Sequence, residues 1–125
     1  MAYDKNFRGG VKVAVGNTDG RANGGRAEII TAPQSNAQPQ VNVFDNFGNK
    51  KKTFAAYNNQ FTNGLSLAVG DLNNDGSVEI ITGASAGGAA HVRIFKGDGG
   101  MLQSFYAYPE SFSGGVNVGY VSFVN

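Results

Sequence analysis

Asp71, Asn73 and Asp75 stand at alternate positions, and Gly76 follows them. Short carboxylate and amide side chains at this spacing can all turn inward when the backbone wraps round an ion. A hard cation such as calcium takes roughly six to eight oxygen ligands, and Gly76 permits the sharp turn that the wrap needs. Counting Asp71 as the first loop position, Ser77 is the seventh, where a backbone carbonyl would serve. Glu79 is the ninth, at the start of an apolar run. An EF-hand loop requires a bidentate glutamate at its twelfth position and helices on both sides. Here that position is Thr82, inside a β-like run, so the loop is not an EF-hand. The competing reading is an Asn-Asp-Gly hairpin turn with no metal. Asp71, Asn73, Asp75 and Glu79 within nine residues exceed what a turn alone needs.

The elements that must position this loop occur twice. Glu28-Ile29-Ile30-Thr31 returns as Glu79-Ile80-Ile81-Thr82, an offset of 51 residues (79 − 28). Val41-Asn42-Val43-Phe44 and Val92-Arg93-Ile94-Phe95 share that offset, as do Phe54-Ala55-Ala56-Tyr57 and Phe105-Tyr106-Ala107-Tyr108. Phe7, Phe61 and Phe112 are equivalent, and their first step is 54 residues (61 − 7), so the first copy carries three extra residues between Gly16 and Glu28. Repetition at this period signals a propeller, a solenoid or an array.

Each unit holds four strand-like runs. They are expected near 11–16, 28–32, 40–45 and 51–57 in the first copy, and near 65–70, 79–84, 91–96 and 102–108 in the second. Val11, Val13 and Val15 alternate with Lys12 and Ala14, which is the period of a half-buried strand. Turn sequences such as Asp45-Asn46-Phe47-Gly48-Asn49 and Gly97-Asp98-Gly99-Gly100 separate the runs, and no segment shows a helical period. Four antiparallel strands in about 50 residues is the anatomy of a propeller blade. The expected fold is all-β, with two four-stranded antiparallel blades. Repeat 1 spans 7–60, repeat 2 spans 61–111, and 112–125 opens a further repeat.

The Gly70-Asp71 loop with its Asp-Gly turn, the Glu79-Ile80-Ile81-Thr82-Gly83-Ala84 run and the Val92-Arg93-Ile94-Phe95 run together resemble the FG-GAP repeat of integrin-α-type, VCBS-like β-propellers. The glycine-rich stretch from Gly83 to Val92 is similar to the form common in bacterial surface proteins. The resemblance covers nearly the whole chain, twice. It implies that Glu79 closes the metal loop in place of the EF-hand glutamate. The implied ligand set for Ca2+ is thus Asp71, Asn73, Asp75, Ser77 and Glu79. It also implies a secreted or cell-surface parent protein. It does not single out a role, because one architecture serves adhesion, lectin and scaffold functions.

The first copy departs from the pattern. Asn17 replaces Asp71, Gly24 replaces Asp75, and Arg21 and Arg26 lie nearby. Asn17, Asp19, Asn23 and Glu28 are the candidate ligands of a weaker second site. The alternative is a longer, metal-free loop, since ligand charge sets calcium affinity.

Composition excludes several classes. The 125 residues carry a net charge of +1 and no basic stripe, so nucleic acid is not expected as a partner. Lys50, Lys51 and Lys52 read as a solvated turn. With no cysteine, disulfides and thiolate zinc sites are impossible. No long apolar run calls for membrane insertion, and Met1 leads almost directly into repeat sequence, so no signal peptide is expected. Nineteen glycines cluster between apolar runs as turn residues. The single histidine, His91, has no evident serine and carboxylate to join it as a triad. The segment 83–88 lacks the Gly-Lys-Ser/Thr and the helix of a phosphate-binding loop. Tyr3, Tyr57 and Tyr108 recur with Phe54 and Phe105, which argues for packing between sheets, with stacking on sugars as the alternative.

Two blades alone would leave apolar faces and open edges. Closure by homo-oligomerisation solves this, with a trimer giving six blades or a tetramer eight; a natural or engineered excerpt of a longer array is the other solution. The expected function is a non-catalytic, calcium-stabilised binding module for a glycan or a surface protein. A purely structural, self-assembling unit is the alternative. No nucleophile or acid–base pair recommends an enzyme.

Overall fold

The computed structural model describes residues 9–20, 26–87, 90–108 and 114–120. These form eight strands: β1 (Val11–Gly16), β2 (Glu28–Pro33), β3 (Gln40–Phe44), β4 (Lys50–Ala55), β5 (Leu65–Gly70), β6 (Glu79–Ala84), β7 (His91–Phe95) and β8 (Met101–Tyr106). They make two four-stranded antiparallel sheets in simple meander order, β1-β2-β3-β4 and β5-β6-β7-β8. The registers are equivalent: Val15 faces Ile29 as Val69 faces Ile80, and Val41 faces Phe54 as Val92 faces Phe105. Each sheet has the anatomy of a propeller blade, and the described residues form no closed ring.

The fourth strands end two residues earlier than the alternation suggests. After Ala55 the Ala56 amide donates to the Pro39 carbonyl at 2.8 Å, and the Ala107 amide repeats this with Ala90. In the first sheet the turn drops Ala56 and Tyr57 into the core. Tyr57 then anchors the crossover to the second blade, its hydroxyl donating to the His91 carbonyl at 2.7 Å. Arg93 lies over its ring at 5.1 Å and donates to the Ala56 carbonyl at 2.9 Å.

The core lies between the blades. Ile30, Ala32, Val41 and Val43 from the first sheet pack with Leu65, Ile80, Ala84 and Phe95 from the second, and Phe54 meets Phe95 at 4.8 Å between centroids. Burial of each large side chain here contributes about 1.5–3 kcal/mol. Gly64 is the pivot of this interface. Its φ is +94°, and a Cβ there would stand 1.8 Å from the Gln34 carbonyl oxygen, so only glycine lets β5 approach β2.

The same translation recurs once more. Residues 114–120 lie on the second blade, with the Val116 amide donating to the Ala84 carbonyl at 3.0 Å and Ser66 Oγ donating to the Val116 carbonyl at 2.8 Å. Val116 and Val118 cover Ala68, Ile81 and Val92. By contrast no described residue covers the outward face of β1. Val13 and Val15 are 60% and 59% exposed, although their counterparts Leu67 and Val69 pack into the interblade core.

The recurring aromatics follow the same asymmetry. Tyr57 and Phe54 pack between sheets, while Tyr108 and Phe105 are exposed on the second blade; Tyr3 lies outside the described residues. Phe47 and Tyr106, which break the repeat, are also exposed.

Candidate metal centre

The 71–79 loop joins β5 to β6, and its shape follows from its own side chains. Asn74 and Gly76 adopt positive φ, at 59° and 88°. Asp71 closes the turn: its Oδ1 accepts the Asp75 amide at 3.1 Å and its Oδ2 accepts the Gly76 amide at 2.9 Å. These donors, the Gly76 amide foremost, hold the Asp71 carboxyl below the usual aspartate range. Asp75 Oδ1 accepts the Ser77 amide at 2.9 Å. Glu79 is the buried member, 4% exposed at the head of β6, and its Oε1 accepts the Leu72 amide at 2.8 Å.

Together these contacts gather oxygen. One carboxylate oxygen each from Asp71, Asp75 and Glu79 lies within 4.8 Å of the others. Calcium binds oxygen at about 2.3–2.6 Å, so ligands around one ion stand up to roughly 5 Å apart. The three carboxylates therefore fit a calcium ion. Asn73 and Ser77 line the same groove as Asp75 and Glu79. No lysine or arginine among the described residues forms an ion pair with Asp71, Asp75 or Glu79.

The 17–28 loop, between β1 and β2, is built on the same brace but finished differently. Glu28 is fully buried at the head of β2, and its Oε1 accepts the Thr18 amide at 2.8 Å, as Glu79 accepts that of Leu72. Thr18 Oγ1 adds a second donor at 3.0 Å. Asn17 and Asp19 lie at the same end, while Asn23 lies outside the described residues. A lysine reaches in: Lys51 Nζ is 2.9 Å from Asp19 Oδ2 and 3.8 Å from Glu28 Oε2. The Lys50-Lys51-Lys52 run is thus not a turn but the start of β4. Val43 pairs with Lys52 and Phe44 with Lys50, so Lys51 is the extra residue of a β-bulge. A bulge re-aims its side chain, and the run of like charges hid this role from sequence reading.

The two loops meet across the blade interface. The Val78 amide donates to the Asn17 carbonyl at 2.8 Å. A groove of about 590 Å³ opens beside them, lined by Asp19, Lys51, Asp75, Glu79, Lys96 and Asp98 among others.

His91 gains a neighbour that the sequence did not suggest. Its Nε2 forms a short hydrogen bond with Ser104 Oγ, and its ring stacks on Tyr106 at 4.5 Å. Burial, with the Arg93 charge, pushes its pKa below 6.5. No carboxylate among the described residues contacts the ring, so the arrangement lacks the orienting member of a nucleophile triad.

Comparison with curated proteins and with solved structures gives no match. Residues 63–102, from the turn before β5 to the second residue of β8, match the FG-GAP repeat family, and this segment of the chain is an FG-GAP repeat.

Proposed function

We propose that the chain is a non-catalytic binding module whose second blade is stabilised by a calcium ion in the 71–79 loop. Asp71, Asp75 and Glu79 supply carboxylate oxygens, Asn73 an amide oxygen and Ser77 its backbone carbonyl. The observation that carries this reading is the convergence of three carboxylates within 4.8 Å on a loop of an FG-GAP repeat. The ion neutralises charge that no basic side chain among the described residues pairs with. Through the Val78–Asn17 hydrogen bond it also tightens the junction between the blades. Such a modest donor set suits the high calcium concentrations outside cells, where modules bind with Kd near ~10⁻⁴–10⁻³ M. The ligand is a glycan or a surface protein, met by the groove beside both loops, whose lining mixes charged and apolar side chains.

The module acts as a homo-oligomer, a trimer or tetramer whose blades form one ring. Support comes from the uncovered β1 face. Val11, Val13 and Val15 have the chemistry of Leu65, Leu67 and Val69, which already pack on a blade within the chain. Their partner is the second blade of another copy, where β1 takes the place that Val116 and Val118 hold within one chain. Such a head-to-tail contact closes by cyclic symmetry.

Light scattering with calcium and with chelator tests the assembly, together with the Val13→Asp variant. A single mass of three or four chains, lost in Val13→Asp, is expected; a wild-type monomer in both buffers refutes the ring. Calorimetric titration tests the metal: binding lost in Asp71→Asn and Asp75→Asn is expected, and no binding refutes it. A glycan array and a pull-down with the calcium-loaded protein test the ligand. A self-assembling structural unit is the reading left standing if neither finds a binder.

A further inference from the structure

We infer that the Lys51 ammonium takes the place of a metal ion in the first loop, so that the two repeats neutralise the same buried glutamate with different cations. This rests on the calcium reading of the second loop only for the contrast, not for the role of Lys51 itself. Four observations converge. The buried braces Glu28 and Glu79 are equivalent in position and in the loop amide that each accepts. Lys51 Nζ sits against Asp19 Oδ2 at 2.9 Å and Glu28 Oε2 at 3.8 Å, where the acidic groups of the first loop converge. Lys51 is the bulged residue of its strand, and the matching bulge of the second blade, between Ile94 and Phe95, carries Leu102 instead (51 + 51). Finally, the loop that faces the lysine has lost carboxylates, with Asn17 where the other has Asp71.

The exchange is chemically coherent. A divalent ion beside an ammonium would be repelled, and an ammonium against two carboxylates needs fewer negative charges than calcium does. The bulge lifts Lys51 out of the hydrogen-bond ladder and directs it to the loop. In the second blade Leu102 can neutralise nothing, and the loop keeps its full acidic set.

The test uses the full chain. Lys51→Met keeps the unbranched apolar stem and removes the charged end; Lys51→Arg keeps the charge. In chelator Lys51→Met is expected to melt ~4 °C or more below wild type, as loss of about 1 kcal/mol implies, and Lys51→Arg close to it. In an Asp19→Asn, Glu28→Gln background the Lys51→Met loss should largely vanish, which a merely structural stem would not do. Calcium titration of wild type should give no second ion. A second ion that is lost in Asp19→Asn overturns the inference, as does Lys51→Met melting with wild type in chelator. If wild type binds no calcium while Lys51→Met still melts low and Lys51→Arg does not, the calcium reading fails and the role of Lys51 stands.

Discussion

The two blades share a register, a turn grammar and a buried glutamate, yet their loops place different groups beside that glutamate. In the 71–79 loop, backbone amides and Asp71 shape a carboxylate cluster without a basic partner among the described residues. In the 17–28 loop, a lysine from 32 residues away closes on Asp19. The difference teaches that two copies of one repeat set different groups beside the same buried glutamate, a lysine in the first and a cluster of carboxylates in the second. A buried, ionised carboxylate is costly unless it is paired and hydrogen-bonded. Glu28 has the Thr18 amide and Lys51 at 3.8 Å; Glu79 has the Leu72 amide and no basic partner among the described residues.

Paired substitutions at equivalent positions separate the two blades. The largest effect is expected at the interblade pivot. Gly64→Ala meets the Gln34 carbonyl oxygen, whereas at Gly10 the nearest atoms belong to the flexible Gln34 side chain, at 3.1 Å. Chemical denaturation should show a loss of at least ~3 kcal/mol for Gly64→Ala and about 1 kcal/mol for Gly10→Ala, since both sit at positive φ. Equal losses would mean that β5 does not pack on β2 as described.

Next come Ile80→Ala and Ile29→Ala. Ile80 is fully buried between the blades, and Ile29 is only partly buried on the open face of the first. Losses of about 2–5 kcal/mol at Ile80 and roughly 1 kcal/mol at Ile29 are expected for a monomer. If Ile29→Ala costs as much as Ile80→Ala at assembling concentrations, the open face is covered by another copy.

The braces come third. Glu79→Gln and Glu28→Gln keep the acceptor for the loop amide but remove the charge. Each should lose about 1–2 kcal/mol, measured in chelator for Glu28→Gln, which leaves Lys51 with less to pair. Glu79→Gln alone should abolish the rise of melting temperature with calcium, which follows from binding to the folded state only.

The smallest effect is a pH dependence. The folded carboxyl of Asp71 lies below its unfolded value because the Gly76 and Asp75 amides donate to it. A depressed carboxyl contributes stability that is present above the unfolded value, near ~3.9, and is lost as pH falls through the folded one. Wild type should therefore lose stability more steeply than Asp71→Asn below about pH 4, read from melting temperature in chelator. Parallel profiles would show that the amide contacts of Asp71 are not maintained in solution.

Local pattern made much of this visible from the residues alone. Alternation in Val11, Val13 and Val15, the repeated Glu-Ile-Ile-Thr and the glycine turns were sufficient for eight strands and two sheets, because side-chain period and turn chemistry act over a few residues. The Asp71, Asn73, Asp75 and Gly76 spacing likewise marked a loop that folds on its own side chains. The three extra residues announced that the first loop differs, without saying how it is neutralised.

What remained hidden depends on atoms far apart in the chain. Tyr57 was a recurring aromatic until the crossover turned it into the core, where it reaches the carbonyl of His91, 34 residues on. Ser104 beside His91 follows from strand register, which alternation alone does not set. Lys51 looked like one member of a solvated basic run, because a bulge that re-aims a single side chain leaves no mark in composition. The strands, the repeat and the acidic loop are legible in the residues, since these rest on contacts between near neighbours. Which valines are covered, which glutamate meets a lysine and where the two loops touch depend instead on how one sheet is set against the next.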